Sequence, residues 1–556
     1  MGPIWALQMV TAWLLLWPAS ANPWAMIPGA PASAGPASSF YVHALVHARG
    51  LLGATHARSL LYPAGTDPFV LWGFPLDALA SRPFAAVLGQ PAGYTCFAVV
   101  TLAAAGAAMA WLAGRWWRSR AAALVGAAAY QTGGLLAWEL TDGHPGTVLA
   151  AALLPLALGQ LSLALVDGRP WRAALAGLLA GTAALSCWVA GGAALVALAI
   201  LAALAWLEGR LPWRPVWIAA LAGLALVALP ALHVLAGAGA LQGIPDDPWG
   251  TVERAGSAGT WAGWIATRGL SLGQEGSLIS LRPTLALLIG AGLFATRVRR
   301  WAAPGLWAAA GAVLAIGVWL PLPGETALPG PQLAVVGLPL FEQLTHPYRA
   351  LLLTLPALAL LAAGGAAVLE ARLPASARRL GVWLGFVIAV LLVVEGILVG
   401  PHLPVAATKI GASRGTPVLA QHSGPALVLP FAAGPLRAGA SMVIDQVFHG
   451  RPLVNGPSYP ADTVTPSATF QTPAEDAIAY LAGCEKASNV PPVPDRAQLQ
   501  AGLQAVGLTE VYLDLGVAMA QPHGERYLVC VEEALGSEFT VNAPLRIYEL
   551  GATSTP

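Results

Sequence analysis

The sequence predicts an α-helical polytopic membrane protein with about eleven transmembrane helices and a C-terminal extracytoplasmic α/β domain. The chain has 556 residues, of which 57% are hydrophobic and only 10% are charged, and its mean hydropathy is +0.66. Soluble domains carry about 25% charged residues, so most of this chain must lie in lipid. The other two grounds for the prediction are a series of long apolar runs and an uneven distribution of arginine.

Eleven apolar runs give the number of predicted spans. They lie at about residues 4–21, 93–114, 121–138, 145–166, 173–188, 191–207, 215–236, 284–296, 302–321, 350–369 and 381–399. Several are slightly shorter than the ~20 residues that cross a bilayer, so their ends are defined to within a few residues. The first run resembles a signal peptide ending at Ala19-Ser20-Ala21, but no Lys or Arg precedes it, which favours a retained helix.

Arginine is concentrated in alternate loops. Thirteen arginines lie in five short loops, at residues 115–120, 169–172, 210–214, 297–300 and 372–379. The short loops 139–144 and 189–190 hold none. The positive-inside rule therefore places the five arginine loops and the N-terminus in the cytoplasm. The long polar segments, including residues 22–92 and the tail from residue 400, are then external.

The chain divides into a membrane domain, residues 1–399, and an external domain, residues 400–556. The long loop 22–92 reads as short helices lying along the membrane interface. The tail contains strand-like runs and helical patterns, which together predict an α/β domain. The strand-like runs are residues 426–429, 441–444, 510–513, 527–530 and 545–548, and the helical patterns are residues 473–483 and 496–506.

Composition and cysteine positions exclude some functions. A net charge of +1 gives no reason to expect a nucleic acid as partner, and no phosphate-binding glycine loop is apparent. Cys484 and Cys530 are the two cysteines of the tail, so we expect them to form a disulfide in an oxidising exterior, the alternative being two free thiols.

The polar turn, defined as residues 139–145, is the first candidate site. Its sequence is Glu139-Leu-Thr-Asp142-Gly-His144-Pro145, between two apolar runs. A carboxylate there could act as a general base or bind a divalent ion, with His144 beside it. The alternative is a solvated turn in which Asp142-Gly143 is turn chemistry and Pro145 starts the next helix.

Further candidates lie in other predicted external segments. Asp67 and Asp77 belong to the first loop, which must lie close to the membrane. His346-Pro-Tyr-Arg349 precedes the tenth span, where an arginine can bind a phosphate headgroup, the alternative being snorkelling to the interface.

The order of these features resembles the GT-C glycosyltransferase superfamily, in particular a poorly characterised bacterial branch. The resemblance covers nearly the whole chain, although each motif is short. It depends on Leu61-Tyr-Pro-Ala-Gly-Thr-Asp67 after the first helix, the pair Gly143-His144, Leu154-Pro-Leu156, His346-Pro-Tyr-Arg349, and Phe448-His-Gly-Arg-Pro-Leu-Val-Asn-Gly456 in the tail.

The resemblance implies transfer of a sugar from a polyprenyl-phosphate carrier to an envelope acceptor, at the external face of the bacterial inner membrane. It implies a catalytic acid in the first external loop and an acid in the second, here Glu139 or Asp142, which assists with lipid phosphate or with Mg²⁺ or Mn²⁺. It also implies that His144, His346 and Arg349 bind substrate.

The first-loop position departs from the family pattern. The family has a Gly-Asp pair just after the first helix, whereas this chain reads Gly35-Pro-Ala-Ser-Ser-Phe-Tyr41. Either Asp67 or Asp77 takes the role, or the protein is a non-catalytic envelope assembly protein. A lipid or polysaccharide transporter is the third alternative, although ionisable residues in the apolar runs are few, with Glu395 a clear exception.

Overall fold

A computed structural model provides the coordinates of the chain. It describes residues 2–31, 34–54, 76–209, 213–238, 282–295, 298–315, 319–321, 327–329, 347–374, 377–400, 402–411, 415–430, 446–449, 451–453, 477–478, 480–481, 483–484, 495–519 and 523–550. Asp67 and His346 lie outside the described residues, as does the predicted strand 441–444.

Helices form most of the described chain. The membrane part contains α1 (Gly2–Leu15), α2 (Ala34–Ala54), α3 (Leu76–Leu88), α4 (Ala92–Trp117), α5 (Arg120–Gln131), α6 (Gly134–Thr141), α7 (Pro145–Asp167), α8 (Pro170–Ser186), α9 (Trp188–Leu207), α10 (Trp213–Ala238), α11 (Pro283–Ala295), α12 (Val298–Leu314), α13 (Leu351–Arg372) and α14 (Arg378–Val399). The tail contains α15 (Thr416–Gln421), α16 (Arg496–Ala505), α17 (Leu515–Met519) and α18 (Gly524–Leu535).

The strands are short. They are β1 (Met26–Pro28), β2 (Trp319–Pro321), β3 (Ala327–Pro329), β4 (Ala407–Lys409), β5 (Leu427–Leu429), β6 (Glu510–Asp514), β7 (Thr540–Asn542) and β8 (Leu545–Glu549). Together with the helices, they confirm the predicted fold class, a helical membrane protein with an α/β tail.

Six of the described helices are long and apolar enough to cross a membrane. They are Ala92–Trp117, Pro145–Asp167, Trp188–Leu207, Trp213–His233, Tyr348–Arg372 and Leu380–Val399. Shorter apolar helices are Ile4–Leu15, Pro283–Phe294 and Trp301–Leu314. The chain is therefore a multi-pass membrane protein, and the count of eleven spans stays a prediction.

Two predicted spans differ from the structure. The run 121–138 is two helices, α5 and α6, separated at Thr132–Gly133. The Thr132 hydroxyl donates to the carbonyl of Ala128 at 2.7 Å and accepts from Nη2 of Arg282 at 2.8 Å. The run 302–321 is helical only to Leu314, and its last three residues form β2. The apolar composition of the two runs does not reveal the break at Thr132–Gly133 or the helix end at Leu314, because both depend on backbone conformation.

The two ends of the helix bundle differ in chemistry. Helix α7 begins at Pro145 in the polar turn and ends at Asp167, which lies 2.6 Å from Arg172. Helix α13 likewise begins beside Arg349 and ends at Arg372. The arginine loops and the polar turn thus lie at opposite ends of the bundle, and the assignment of the arginine end to the cytoplasm stays a prediction.

The tail packs on the first loop rather than standing apart from it. Strand β1 of the first loop pairs antiparallel with β4 of the tail, and Ile27 faces Thr408. Apolar side chains of α2, among them Tyr41 and Leu45, share a buried cluster with Tyr512 and Ile547 of the tail sheet. The predicted boundary at residue 400 follows the end of α14 at Val399, but the two parts form a continuous contact.

The tail sheet has the strand order β5-β6-β8-β7. Strands β5 and β6 are parallel, and β8 pairs antiparallel with both β6 and β7. The predicted strand 527–530 is wrong, because it lies inside α18. Buried residues of α18 recur at helical spacing, namely Tyr527, Cys530, Val531, Ala534 and Leu535.

Cys484 and Cys530 form a disulfide whose Cα atoms are 5.7 Å apart, which is the pairing predicted from the sequence. The bond attaches α18 to the segment around Tyr480, which belongs to the same apolar core. Cys96 and Cys187 are free thiols within the membrane part.

Candidate functional site

The first loop lies directly on the polar turn. The backbone N–H of Ala30 donates to the carbonyl of Thr141 at 2.7 Å. Gly143 has φ +80°, and a Cβ at that position would lie 2.2 Å from the backbone nitrogen of Pro36. A residue with a side chain would therefore be both strained and in collision with the start of α2.

Asp77 is the first-loop acid that reaches the start of α7. It lies in the first turn of α3, and a Cβ at Gly146 would be 3.1 Å from its Oδ2 atom and 2.8 Å from the carbonyl of Ser186. Glycine at position 146 therefore permits the close approach of three segments. The carboxyl side chain is 17% exposed, so it is shielded but accessible.

Asp77 is held by two donors. Its Oδ1 atom accepts from the backbone N–H of Ala78 at 2.9 Å, and its Oδ2 atom lies 3.3 Å from Nε2 of His43. Burial acts to raise the pKa of Asp77, but the His43 imidazole and the Ala78 N–H outweigh burial and hold this pKa below its usual value of 3.8. Asp77 is therefore a carboxylate at neutral pH.

Glu139 and Arg349 form a buried ion pair. Nε of Arg349 donates to Oε1 of Glu139 at 3.1 Å, and the Glu139 side chain is 0% exposed. Nη2 of Arg349 and Oε2 of Glu139 are buried without a hydrogen-bond partner among the described residues. Arginine keeps its proton in proteins, so the pair is charged and retains an unused cationic donor.

Asp142 and His144 lie on the more open side of the polar turn. Oδ2 of Asp142 is 3.2 Å from Nε2 of His144, and their side chains are 29% and 35% exposed. The backbone N–H of His144 donates to the carbonyl of Glu139 at 2.7 Å, which fixes the turn between α6 and α7. This pair therefore lies next to the Glu139–Arg349 pair.

Three carboxylates of the site each face a cationic or cation-forming partner rather than one another. Asp77 faces His43, Glu139 faces Arg349, and Asp142 faces His144. Within the described part of the chain, no group of three His, Cys, Asp or Glu residues could hold a metal ion. These residues do not fit the Mg²⁺ or Mn²⁺ site that the sequence left open, and no chemical step is derived through a metal.

Sequence reasoning missed His43, Tyr348 and His402, which lie around this site. His43 of α2 supports Asp77. Tyr348 accepts from the indole nitrogen of Trp138 at 3.3 Å, and the Trp138 ring lies 4.9 Å from the ring of His402, where the tail begins. Burial lowers the pKa of His402 to about 4, so its imidazole is neutral at physiological pH. Tyr348 could have been found from the sequence, since it adjoins Arg349 in the same short motif. His43 and His402 belong to no motif that would have identified them.

No protein-family model matches this chain, and no curated protein matches it. Among solved structures, the apo oligosaccharyltransferase of Archaeoglobus fulgidus is 12% identical, with a TM-score of 0.48, covering 93% of this chain and 70% of that one. ArnT from Cupriavidus metallidurans, bound to undecaprenyl phosphate, is 12% identical, with a TM-score of 0.46, covering 99% and 98%.

Both solved structures are therefore only distantly similar to this chain. At 12% identity and TM-scores below 0.5, the two structures do not indicate the activity of this chain. The function is argued from the geometry of the site.

Proposed function

We propose that this chain is a membrane glycosyltransferase that moves a sugar from a polyprenyl-phosphate carrier to an envelope acceptor at the outer face of the bacterial inner membrane. The observation that carries the proposal is the Nη2 donor of Arg349, which is buried without a partner among the described residues and lies beside an ion pair, at the end of the bundle where Asp77 meets the polar turn. A buried cationic donor at that place suits the phosphate of a lipid whose chain lies in the bilayer.

Each charged residue then has a separate role in the reaction. Asp77 accepts the proton of the acceptor hydroxyl while the hydroxyl oxygen bonds to C1 of the sugar. The bond between C1 and the phosphate oxygen breaks, and both of its electrons leave with the polyprenyl phosphate. Arg349 stabilises the negative charge that develops on the departing phosphate.

Glu139 is assigned a supporting role rather than that of the base. Its side chain is fully buried and one of its oxygens already accepts from Arg349. A carboxylate in that position orients the guanidinium and offsets the cost of burying it. Asp142 and His144 are more exposed and are suited to contact the acceptor or the sugar.

The test is sugar transfer by the purified full-length protein in proteoliposomes. The donors are radiolabelled undecaprenyl-phosphate-linked hexoses and pentoses, tested one by one, and the acceptor is a membrane extract from a strain lacking the protein. Asp77→Asn should lower transfer by about 10²–10⁴-fold, the usual contribution of a general base. Asp167→Asn, at the opposite end of α7, is the matched control and should transfer at the wild-type rate.

Two results would count against the proposal. Full transfer by Asp77→Asn would place the base elsewhere, and absence of transfer from every donor by the wild-type protein would favour the non-catalytic alternative. That alternative has its own support, because residues 35–41 contain no acid and the tail sheet packs on α2. An assembly protein would use these same external surfaces for binding.

A further inference from the structure

We propose that His43 is a positioning residue for Asp77, and that a Ser81–His43–Asp77 chain fixes the orientation and charge of this carboxylate. The inference rests on the proposed function, in which Asp77 is the base. It assigns a role to a histidine of α2 that carries no recognisable motif in the sequence.

The three side chains form a continuous chain of contacts between α2 and α3. Nδ1 of His43 lies 2.8 Å from Oγ of Ser81, and Nε2 lies 3.3 Å from Oδ2 of Asp77. The His43 side chain is 1% exposed. Its ring lies 4.7 Å from the ring of Tyr94 and 5.8 Å from that of Phe97. These neighbours leave the imidazole little freedom to turn away from Asp77.

The hydrogen-bond geometry determines which nitrogen faces the carboxylate as a donor. Oγ of Ser81 is 2.8 Å from both Nδ1 of His43 and the carbonyl of Ala78, but it has one proton to give. If Ser81 donates to Ala78, Nδ1 carries a proton and His43 is an imidazolium whose Nε2–H faces Asp77. If Ser81 donates to Nδ1, His43 is neutral and its proton is on Nε2. Since Asp77 is ionised, Nε2 donates to Asp77 in both arrangements.

The titratable groups in contact with His43, within the described part of the chain, come from two packed helices. Asp77 comes from α3, and Tyr94 comes from α4, where its hydroxyl donates to Oγ of Ser39 at 3.1 Å. Asp77 is therefore the charged group that His43 faces. Removing the imidazole takes one donor from the carboxylate, whereas the backbone N–H of Ala78 remains.

A purely structural role for His43 is the competing explanation. The helices α2 and α3 are also held together by apolar contacts, since Ala78 lies in the same buried cluster as Tyr41 and Val42. The contact between the helices should therefore survive loss of the imidazole. The two explanations then differ in what happens to the reaction rather than to the fold.

The experiment compares His43→Leu, His43→Gln and Ser81→Ala in the proteoliposome assay, with the undecaprenyl-phosphate-linked sugar that the wild type transfers best. His43→Leu should lower kcat by about 10–100-fold with KM nearly unchanged, because the base is misoriented while the binding donors remain. Its acid limb of kcat against pH should also move upward, because a carboxylate without its imidazole partner takes up protons more readily. His43→Gln, whose amide can donate from a similar position, should recover part of kcat.

His47→Leu is the matched control, one turn further along α2, where Nδ1 of His47 has no hydrogen-bond partner among the described residues. It should keep both the wild-type kcat and the wild-type pH profile. Solid-state NMR with ¹⁵N-labelled histidine gives a readout that does not need activity. The His43 nitrogen signals should shift in Asp77→Asn and stay unchanged in Asp142→Asn.

The outcomes separate the two proposals. If Asp77→Asn is inactive but His43→Leu keeps the wild-type kcat and pH profile, the positioning role is wrong and the proposed function stands. If His43→Gln is no better than His43→Leu and both melt early, His43 is structural. If Asp77→Asn remains fully active, or the wild type transfers nothing, the proposed function fails and the positioning role fails with it. If the His43 nitrogen signals do not shift in Asp77→Asn, the pairing of His43 with Asp77 is wrong.

Discussion

Two arginines of this protein, the largely shielded Arg349 at the start of α13 and the buried Arg451 in the tail, differ in how fully their guanidinium groups are hydrogen-bonded. Arg451 directs its five N–H donors to five acceptors, which are the carbonyls of Leu419, Ser423, Gly424 and Pro425 and the hydroxyl of Tyr512. Nε of Arg349 donates to Oε1 of Glu139, while its Nη2 is buried without a partner among the described residues.

The surroundings extend this difference. Tyr512 accepts from Arg451 and donates to Glu510, which also lies 3.0 Å from Nδ1 of His422. The Arg451 guanidinium is therefore fully hydrogen-bonded within the described part of the tail, and such a network stabilises one conformation. An unsatisfied buried donor is costly for a fold, and binding of a ligand is one way to satisfy it. Neither burial nor one unused donor is enough to identify a ligand site, since Arg282 is buried in a structural contact with Thr132 and its Nε has no partner among the described residues. Arg349 differs because its unused donor lies beside the polar turn.

The largest expected effect is the loss of Arg451. Arg451→Met should destabilise the protein by about 3–5 kcal/mol, because it leaves four carbonyls and the Glu510 network without their cation. Thermal unfolding and protease sensitivity of the purified full-length protein would measure this. Arg526→Met, on the exposed face of α18, is the control and should behave as wild type. Equal stability of both variants would show that the tail network is dispensable.

A smaller, different effect is expected for Arg349→Lys. Lysine keeps the charge opposite Glu139 but cannot supply both Nε and the unused Nη2. Binding of radiolabelled undecaprenyl phosphate should weaken by about tenfold or more, the worth of one charge-assisted hydrogen bond at roughly 1.5–3 kcal/mol. The melting temperature should change little. A large loss of stability with unchanged lipid binding would show that Arg349, like Arg451, has a structural role and does not bind the lipid phosphate.

The smallest expected effect concerns His449, which is next to the Arg451 network. The backbone N–H of Arg451 donates to Nδ1 of His449 at 3.0 Å, so this nitrogen must be unprotonated. Burial, with the nearby charge of Arg451, lowers the pKa of His449 to about 4. In the unfolded chain the histidine pKa is about 6.5, so as the pH falls the unfolded chain takes up a proton before the folded chain does. The contribution of His449 to the free energy of unfolding is therefore full above about pH 6.5 and declines towards pH 4.

His449→Gln should therefore flatten the fall in melting temperature between pH 7 and pH 4.5 by on the order of a degree or two. Part of the slope should remain, since burial lowers the pKa of His402 to about 4 as well. His523→Gln, on an exposed position before α18, is the matched control. A slope identical to wild type in His449→Gln would mean that the cluster tolerates a charged His449.

In the first loop, the sequence identified Asp77 as a candidate acid, and the structure supplied its contacts. Asp77 was one of two candidate acids, chosen because the loop must lie close to the membrane. Its contact with Gly146 and its pairing with His43 join segments that are 34 residues apart or more in sequence. His43 itself gave no signal, because a lone histidine in an apolar helix has no distinguishing pattern until its neighbours are known.

The sequence by itself determined the membrane class, the positions of most apolar helices, the arginine-rich end of the bundle and the cysteine pair. These follow from composition, run length, charge bias and the count of cysteines in the tail, which are local properties of the sequence. It also identified the polar turn and Arg349 as chemically unusual. The strand-like run 527–530 failed because a short apolar run suits either a strand or a buried helical face.

Only the tertiary structure decided the partners. Glu139 and Arg349 are 210 residues apart in sequence and form one ion pair, and only the folded chain shows that Arg451 directs its donors to backbone carbonyls and to Tyr512. The packing of the tail on α2, and with it the placement of Asp77, depends on contacts between residues from both ends of the chain. Such pairings depend on three-dimensional proximity, which neither hydropathy nor motif spacing encodes.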